Sequence, residues 1–234
     1  MSVRVFDSVE ALSEAAAALI SQRLEESSGP FHLALSGGST PKKLFGILAS
    51  PAYADSIPWG RIHFWWGDER FVPPTDPDSN ERMARETMLD NMPIPAEHIH
   101  PMYREGSAEE AASFYEEALR EWLPSGEFDL VLLGLGPDAH TASLFPGDAS
   151  IEETVRWVMP STGAAGVKQR LTLTPAILNK AREVVFLAAG PDKTVPFAHV
   201  INEPYAPLKY PAQVVSRNAP SVLWMVDTVA ASGL

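Results

Sequence analysis

The chain has 234 residues, no cysteine and a formal net charge of −12. Without cysteine there can be no disulfide, thiolate metal site or cysteine nucleophile. The 30 acidic residues against 18 basic ones argue against a nucleic-acid-binding surface, although a few well-placed Arg and Lys side chains could still hold a small anion. The apolar stretch near the N-terminus is too short to span a bilayer and lacks the features of a signal peptide, so we expect a cytoplasmic protein with no membrane partner.

Short apolar runs alternate with amphipathic segments along the chain. Taken in order, the patterns predict a helix over 7–27, a strand at 31–35, a helix after Pro41, a strand at 61–66, helices over 79–91 and 107–122, and strands at 128–133, 182–190 and 221–226. Segments 154–159 and 169–174 alternate more regularly and predict a small extra sheet or β-ribbon. Continuous apolar strands between helices indicate a Rossmann-like, three-layer α/β/α fold with a mostly parallel sheet, built as a single domain over 1–234.

Four polar segments follow predicted strands directly. They are SGGST, GDER, GLGPDAH and GPDKT. Because ligands of open α/β sheets bind beyond the carboxyl ends of the strands, we expect these four segments to meet at one edge of the sheet.

The first of these segments, SGGSTP, is a glycine turn that opens into a helix. Gly37 and Gly38 permit close approach of the backbone, and Ser39 or Thr40 could cap the helix or bind an anion. An ordinary strand-to-helix turn is the simpler alternative. The double glycine, which a cap does not need, favours phosphate binding.

The segment GDER places charges immediately after an aromatic strand. Arg70 could clamp a phosphate or carboxylate, and Asp68 could accept hydrogen bonds from sugar hydroxyls or orient Arg70. A surface salt bridge is the alternative for either residue. Arg170 and Lys193 are isolated cations that could add positive charge at the same edge.

The segment GLGPDAHTASLFPG, residues 134–147, contains the spacing of a dinucleotide-binding turn at Gly134, Gly136 and Ala139. That fingerprint should open a long helix, whereas prolines inside and at the end of this segment leave room for little more than one turn. A nicotinamide site is therefore disfavoured, and no cofactor is expected.

The same segment presents a histidine beside a carboxylate. His140 follows Asp138 by two residues in a loop at a strand end, which suits a general base. A loop histidine bonded to backbone is the alternative. The other histidines lack metal-ligand spacing, so no metal site is expected.

Taken together, the motifs resemble the 6-phosphogluconolactonases, in the larger group that also holds the glucosamine-6-phosphate deaminases. The resemblance covers nearly the whole chain and rests on LALSGGSTP, WWGDERFVP with DSN after it, FDLVLLGLGPDAHTASLFPG and RLTLTPAILNKAREVVFLAAGPDK, in that order. The loop after His140 reads TASLFP, the lactonase form rather than the IAFNE of the deaminases. One departure is Ala139, where the family usually has glycine; a positive φ there would strain an alanine by about 1 kcal/mol.

The resemblance implies a cofactor-free hydrolase of 6-phospho-D-glucono-1,5-lactone, in the oxidative pentose phosphate pathway. His140 is then the expected base on water, Asp138 its orienting partner, and Arg70, Arg170 and Lys193 the cations for phosphate or oxyanion. A deaminase on the same scaffold and a sugar-phosphate sensor without turnover are the alternatives. The expected partner is the sugar-phosphate lactone alone, bound by a monomer or a weak homo-oligomer.

Overall fold

A computed structural model describes residues 1–163 and 166–234 of the chain. The strands in these residues are Ser2–Phe6 (β1), Phe31–Leu35 (β2), Ile62–Trp66 (β3), Asp68–Arg70 (β4), Leu130–Leu133 (β5), Val158–Thr162 (β6), Gln169–Leu173 (β7), Val184–Ala188 (β8) and Val222–Asp227 (β9). The α-helices are Val9–Glu26 (α1), Ser39–Leu48 (α2), Pro51–Ala54 (α3), Asn80–Thr87 (α4), Ala108–Trp122 (α5), Pro175–Leu178 (α6), Thr194–Asn202 (α7) and Ala212–Ser216 (α8).

The larger sheet has the strand order β1-β9-β8-β5-β2-β3, and all of its pairs are parallel. Its central strands β5 and β8 are buried at every position, as expected of strands covered on both faces. Right-handed crossovers place α1 and α2 on one face and α5 to α8 on the other. The predicted three-layer α/β/α fold is confirmed.

The direction of winding reverses between two neighbouring strands, β2 and β5. The chain leaves β2 for α2 on one face, whereas beyond β3 it returns through α5 on the opposite face to β5, where Ala34 lies opposite Val131. Such a reversal leaves a crevice at the carboxyl ends of the two strands, the usual ligand site of open α/β sheets.

The smaller sheet is antiparallel, with the order β4-β7-β6. Gly67 joins it to the larger sheet: its amide donates to the Leu35 carbonyl at 2.9 Å, and its carbonyl accepts from the Leu173 amide at 2.8 Å. The extra sheet expected from 154–159 and 169–174 is confirmed, with two differences. Its β6 begins later, at Val158, and GDER supplies the third strand, β4.

Several elements differ from the sequence prediction. Strand β1 went unpredicted because its SVRVF is largely exposed at the edge of the sheet and lacks a buried apolar run. The helix expected over 79–91 ends at Thr87, because Met88 leaves helical geometry before a 3₁₀ turn over Leu89–Asn91. Helices α3, α7 and α8 are likewise absent from the sequence prediction. In the described part of the chain, no helix is long and apolar enough to cross a membrane.

Candidate active site

A cavity of about 500 Å³ opens at the crevice between β2 and β5. The smaller sheet forms one of its walls through β4 and β7. Its volume falls within the ~300–1,000 Å³ range of small-molecule sites. All ten residues predicted for the site line it: Gly37, Gly38, Ser39, Thr40, Asp68, Arg70, Asp138, His140, Arg170 and Lys193. The expected convergence of the four strand-end segments is therefore confirmed, while the role of each residue stays a prediction.

The loop after β5 is a chain of tight turns rather than the start of a helix. The Gly136 amide donates to the His140 carbonyl at 2.8 Å, and the Ala139 amide donates to the Gly136 carbonyl at 3.0 Å. Ala139 has φ +64° and Ala142 has φ +48°, both in the left-handed region, whereas Gly134 does not lie there. The loop therefore enters the left-handed region at these alanines and not at Gly134 or Gly136.

His140 and Asp138 form a pair at the cavity wall. Asp138 Oδ1 lies 2.5 Å from His140 Nδ1 and also accepts from the His140 amide at 3.2 Å. Burial alone would raise the pKa of the Asp138 carboxyl, but the hydrogen bond and charge of the imidazole lower it below its usual value. A carboxylate on Nδ1 fixes the tautomer in which Nε2 is free to accept a proton.

Two arginines face each other across β4 and β7, where Arg70 pairs in register with Arg170. Like charges directly opposite one another on a sheet repel. Burial first, and then the charge of Arg70, lowers the pKa of Arg170. Arg70 donates to the Asp78 carbonyl at 2.5 Å and Arg170 to the Val167 carbonyl at 2.6 Å, so backbone oxygens hold both side chains. An anion in the cavity would relieve this repulsion.

Lys193 supplies a third cation. Its ammonium contacts the neighbouring Asp192 carboxylate at 2.5 Å, and its side chain is 21% exposed. The chain has a net charge of −12, but three cations lie at this one cavity. This local positive charge suits an anionic ligand.

The SGGST turn leads into α2 with Gly38 as the N-cap residue, at φ +103°. Ser39 and Thr40 are therefore the first helical residues, and no side-chain cap hydrogen bond forms. The expectation that one of these hydroxyls caps the helix is wrong. Both hydroxyl residues remain beside the exposed amides of the helix start, where the helix dipole favours an anion.

Asp68 points to a different partner from the one considered in the sequence. Its Oδ2 accepts from Ser143 Oγ at 2.7 Å, and Ser143 is fully buried. Arg70 bonds the Asp78 carbonyl instead, so the suggestion that Asp68 orients Arg70 is not supported. Asp68 ties the His140 loop to the smaller sheet.

Sequence reasoning did not single out the buried polar residues Asn80, Thr141 and Ser143 of this cavity. Asn80 belongs to the DSN quoted in the resemblance, but it begins a helix ten residues beyond β4, where no strand-end rule applies. In the described residues, no group of three or more His, Asp or Glu side chains is placed to hold a metal.

A three-layer α/β fold whose Asp–His pair and three cations share one cavity is suited to an enzyme with a small anionic substrate. The sequence model of the family described as glucosamine-6-phosphate isomerases/6-phosphogluconolactonase matches residues 7–224. The chain belongs to this family.

Individual relatives point to one branch of it. A 6-phosphogluconolactonase of Nostoc sp. is 42% identical over 213 residues, covering 88% of this chain and 85% of that protein. Another, of Haemophilus influenzae, is 37% identical over 201 residues and covers 86% of both chains. The solved structure of 6-phosphogluconolactonase from Trypanosoma cruzi matches with a TM-score of 0.87 at 29% identity, covering 100% of this chain and 96% of that one.

Proposed function

We propose that the protein hydrolyses 6-phospho-D-glucono-1,5-lactone to 6-phospho-D-gluconate, the second step of the oxidative pentose phosphate pathway. The observation that carries the proposal is the His140–Asp138 hydrogen bond inside a cavity lined by three cations. The relatives that are 37% and 42% identical to this chain are both named 6-phosphogluconolactonase, after the same reaction.

In the proposed mechanism His140 acts first as a base. Its Nε2 takes a proton from water while the water oxygen bonds to C1 of the lactone, and the carbonyl electrons move onto oxygen. Asp138 keeps the proton of Nδ1 in place and stabilises the imidazolium that forms. Cations and backbone amides around the cavity stabilise the oxyanion.

His140 then acts as an acid. The carbonyl re-forms, the bond from C1 to the ring oxygen breaks, and the imidazolium gives its proton to that oxygen, which becomes the C5 hydroxyl. The new carboxylic acid ionises to solvent, so lactone and water become a carboxylate and one proton. The steps need no electron carrier, in keeping with the expectation of a cofactor-free enzyme.

The phosphate would be held by the start of α2 together with the cations. Ser39, Thr40 and the exposed amides supply donors, and Arg170 and Lys193 supply charge. Binding energy from the phosphate, which does not react, would fix C1 near His140.

The test uses freshly generated lactone with the spontaneous hydrolysis subtracted. The proposal predicts enzyme-dependent formation of 6-phosphogluconate and no ammonia release from glucosamine 6-phosphate. Ammonia release would favour the deaminase alternative. Binding of 6-phosphogluconate without any turnover of the lactone would favour the sensor.

We further propose that residues 1–234 act as one catalytic domain, since strands of both sheets line the same cavity. Light scattering on the purified protein would test the expected monomer or weak homo-oligomer. Cell fractionation would test the expected cytoplasmic location.

A further inference from the structure

The first residue of α4, Asn80, brings a neutral amide to the cavity between the SGGST turn and β4. It is only 2% exposed, yet it lines the cavity. A polar side chain buried to this degree normally satisfies its hydrogen-bonding groups, because a buried group without a partner destabilises the protein.

Hydrogen bonds fix the orientation of this amide. Asn80 Nδ2 donates to the Asp68 carbonyl at 2.9 Å, a contact that only the nitrogen can make. The Oδ1 atom therefore faces the other way, towards Gly37. A Cβ on residue 37 would overlap Oδ1, so the glycine of the turn leaves the space that this oxygen occupies.

Glu69 holds the backbone of Asn80 in place. Its carboxylate accepts from the Asn80 amide at 2.7 Å, the Glu81 amide at 2.8 Å and the Ser79 hydroxyl at 3.1 Å. Glu69 is itself 1% exposed and also accepts from the Arg70 amide at 2.8 Å. The start of α4 is thus fastened to β4, and the Asn80 amide is preorganised.

Asn80 Oδ1 accepts no hydrogen bond from any described residue, whereas Nδ2 does have a partner. The cations, hydroxyls and amides around it are donors that suit the phosphate and the carbonyl of a lactone. Of the carboxylates in the cavity, Asp138 bonds His140 and Asp68 bonds Ser143. A sugar ring also carries hydroxyl groups, which need acceptors.

We propose that Asn80 is a specificity-determining residue whose Oδ1 accepts a hydrogen bond from a ring hydroxyl of the sugar-phosphate substrate. The inference rests on the proposed lactonase function and assigns one recognition contact within it. Hydroxyl recognition of this kind discriminates strongly, because the analogue without the hydroxyl leaves a buried acceptor unpaired.

The test compares Asn80→Leu with Arg82→Ala as a control. The leucine keeps the approximate shape but removes both the Oδ1 acceptor and the Nδ2 bond to the Asp68 carbonyl. Arg82 lies on the same helix but pairs with Glu86 on the exposed side and bonds the Thr75 carbonyl. We expect Asn80→Leu to lower kcat/KM for the lactone by about 10-fold to 100-fold, as for a lost hydrogen bond of ~1–3 kcal/mol. The Arg82 variant should stay within about twofold of the wild type.

Two inhibitors separate hydroxyl recognition from support of the SGGST turn. Inorganic phosphate should inhibit Asn80→Leu and the wild type with the same Ki, because the phosphate site is intact. The second inhibitor is a series of 6-phosphogluconate analogues, each lacking one hydroxyl. One of these analogues should bind the wild type more weakly than 6-phosphogluconate does. The same analogue and 6-phosphogluconate should bind Asn80→Leu equally well.

The inference is overturned if Asn80→Leu keeps wild-type kcat/KM, if it loses phosphate inhibition in parallel, or if every deoxy analogue loses the same factor in both proteins. These outcomes all require an active wild type. A wild type that does not hydrolyse the lactone would instead overturn the proposed function, and this inference with it.

Discussion

The imidazole of His140 occupies the space where a side chain on residue 136 would lie. A Cβ built on Gly136 would overlap Nδ1 and Cε1 of the His140 ring. The glycine therefore serves the site by its missing side chain, since its own φ lies outside the left-handed region. The second glycine of the apparent dinucleotide fingerprint makes room for a base.

Gly136→Ala is expected to displace the imidazole from Asp138. Because a shift of about 1 Å in a reacting group can cost about 10²-fold, we expect kcat to fall by that order with little change in KM. Steady-state kinetics on the lactone measure both constants. Gly134→Ala is the matched control, because a Cβ at that position meets only Ser36 Oγ at 3.7 Å. Equal losses in the two variants would contradict the steric account.

Removal of a cationic side chain that binds the phosphate should weaken phosphate binding more than it lowers kcat. We expect Arg170→Ala and Lys193→Ala each to raise the Ki for inorganic phosphate by about 10-fold or more, the loss expected for a charge-assisted hydrogen bond. Lys42→Ala, at an exposed position of α2, serves as the control. If either cation variant kept the wild-type Ki, the assignment of that residue to the phosphate would be wrong.

Ala139 stores backbone strain in the loop. Its φ of +64° costs an alanine about 1 kcal/mol, and the residue is buried. We expect Ala139→Gly to raise the thermal midpoint by a few degrees at most, because the greater freedom of glycine in the unfolded chain offsets part of the gain. Ala118→Gly, inside α5, should lower the midpoint. A lower midpoint for Ala139→Gly would show that the alanine is not strained.

A cluster of histidines on β2, on β3 and in the segment between α4 and α5 makes the fold sensitive to acid. His63 Nδ1 lies 3.1 Å from His100 Nε2, and the rings of His32 and His63 stack at 4.8 Å. Burial first, and then the charges of neighbouring histidines, lowers the pKa of His32 and His63 to about 4 and that of His100 to about 3.

The unfolded chain binds protons at these three histidines near pH 6.5, whereas the folded chain binds them only near pH 3–4. Their contribution to stability is therefore complete above pH 6.5 and is lost as the pH falls towards 4. Glu69 has the opposite effect. Burial raises its pKa to about 7, so the folded chain binds one proton there as the pH falls below 7, and this binding stabilises the folded state. We expect the urea midpoint to fall between pH 7 and pH 4.5, and His63→Gln to reduce the slope. A flat profile would contradict this prediction.

Sequence reasoning located the site because strand ends of a parallel sheet must meet, and this rule placed Arg70, His140 and Lys193 together. It could not find Asn80, whose position depends on a helix start fastened by the buried carboxylate of Glu69. In the sequence, nothing distinguishes Glu69 from the other charged residues of GDER. Only the fold shows that it accepts four hydrogen bonds and is closed off from solvent.

Strand β1 shows the same limit for the fold. Its alternation of valine and arginine lies on an exposed edge, so no burial pattern marks it. The sequence marks Ala139 as a departure from the family glycine but does not fix its φ, because alanine adopts a positive φ only where tertiary contacts impose it. Here the Ala139 carbonyl accepts from the Ala212 amide at 2.9 Å, far away in the sequence.

His140 is proposed as the base of a lactone hydrolase. The most direct test compares the wild type with His140→Ala on freshly generated 6-phospho-D-glucono-1,5-lactone, after subtraction of the spontaneous rate. We expect kcat to fall by about 10²- to 10⁴-fold with a modest change in KM, as for loss of a general base. A kcat near that of the wild type would remove His140 from the mechanism.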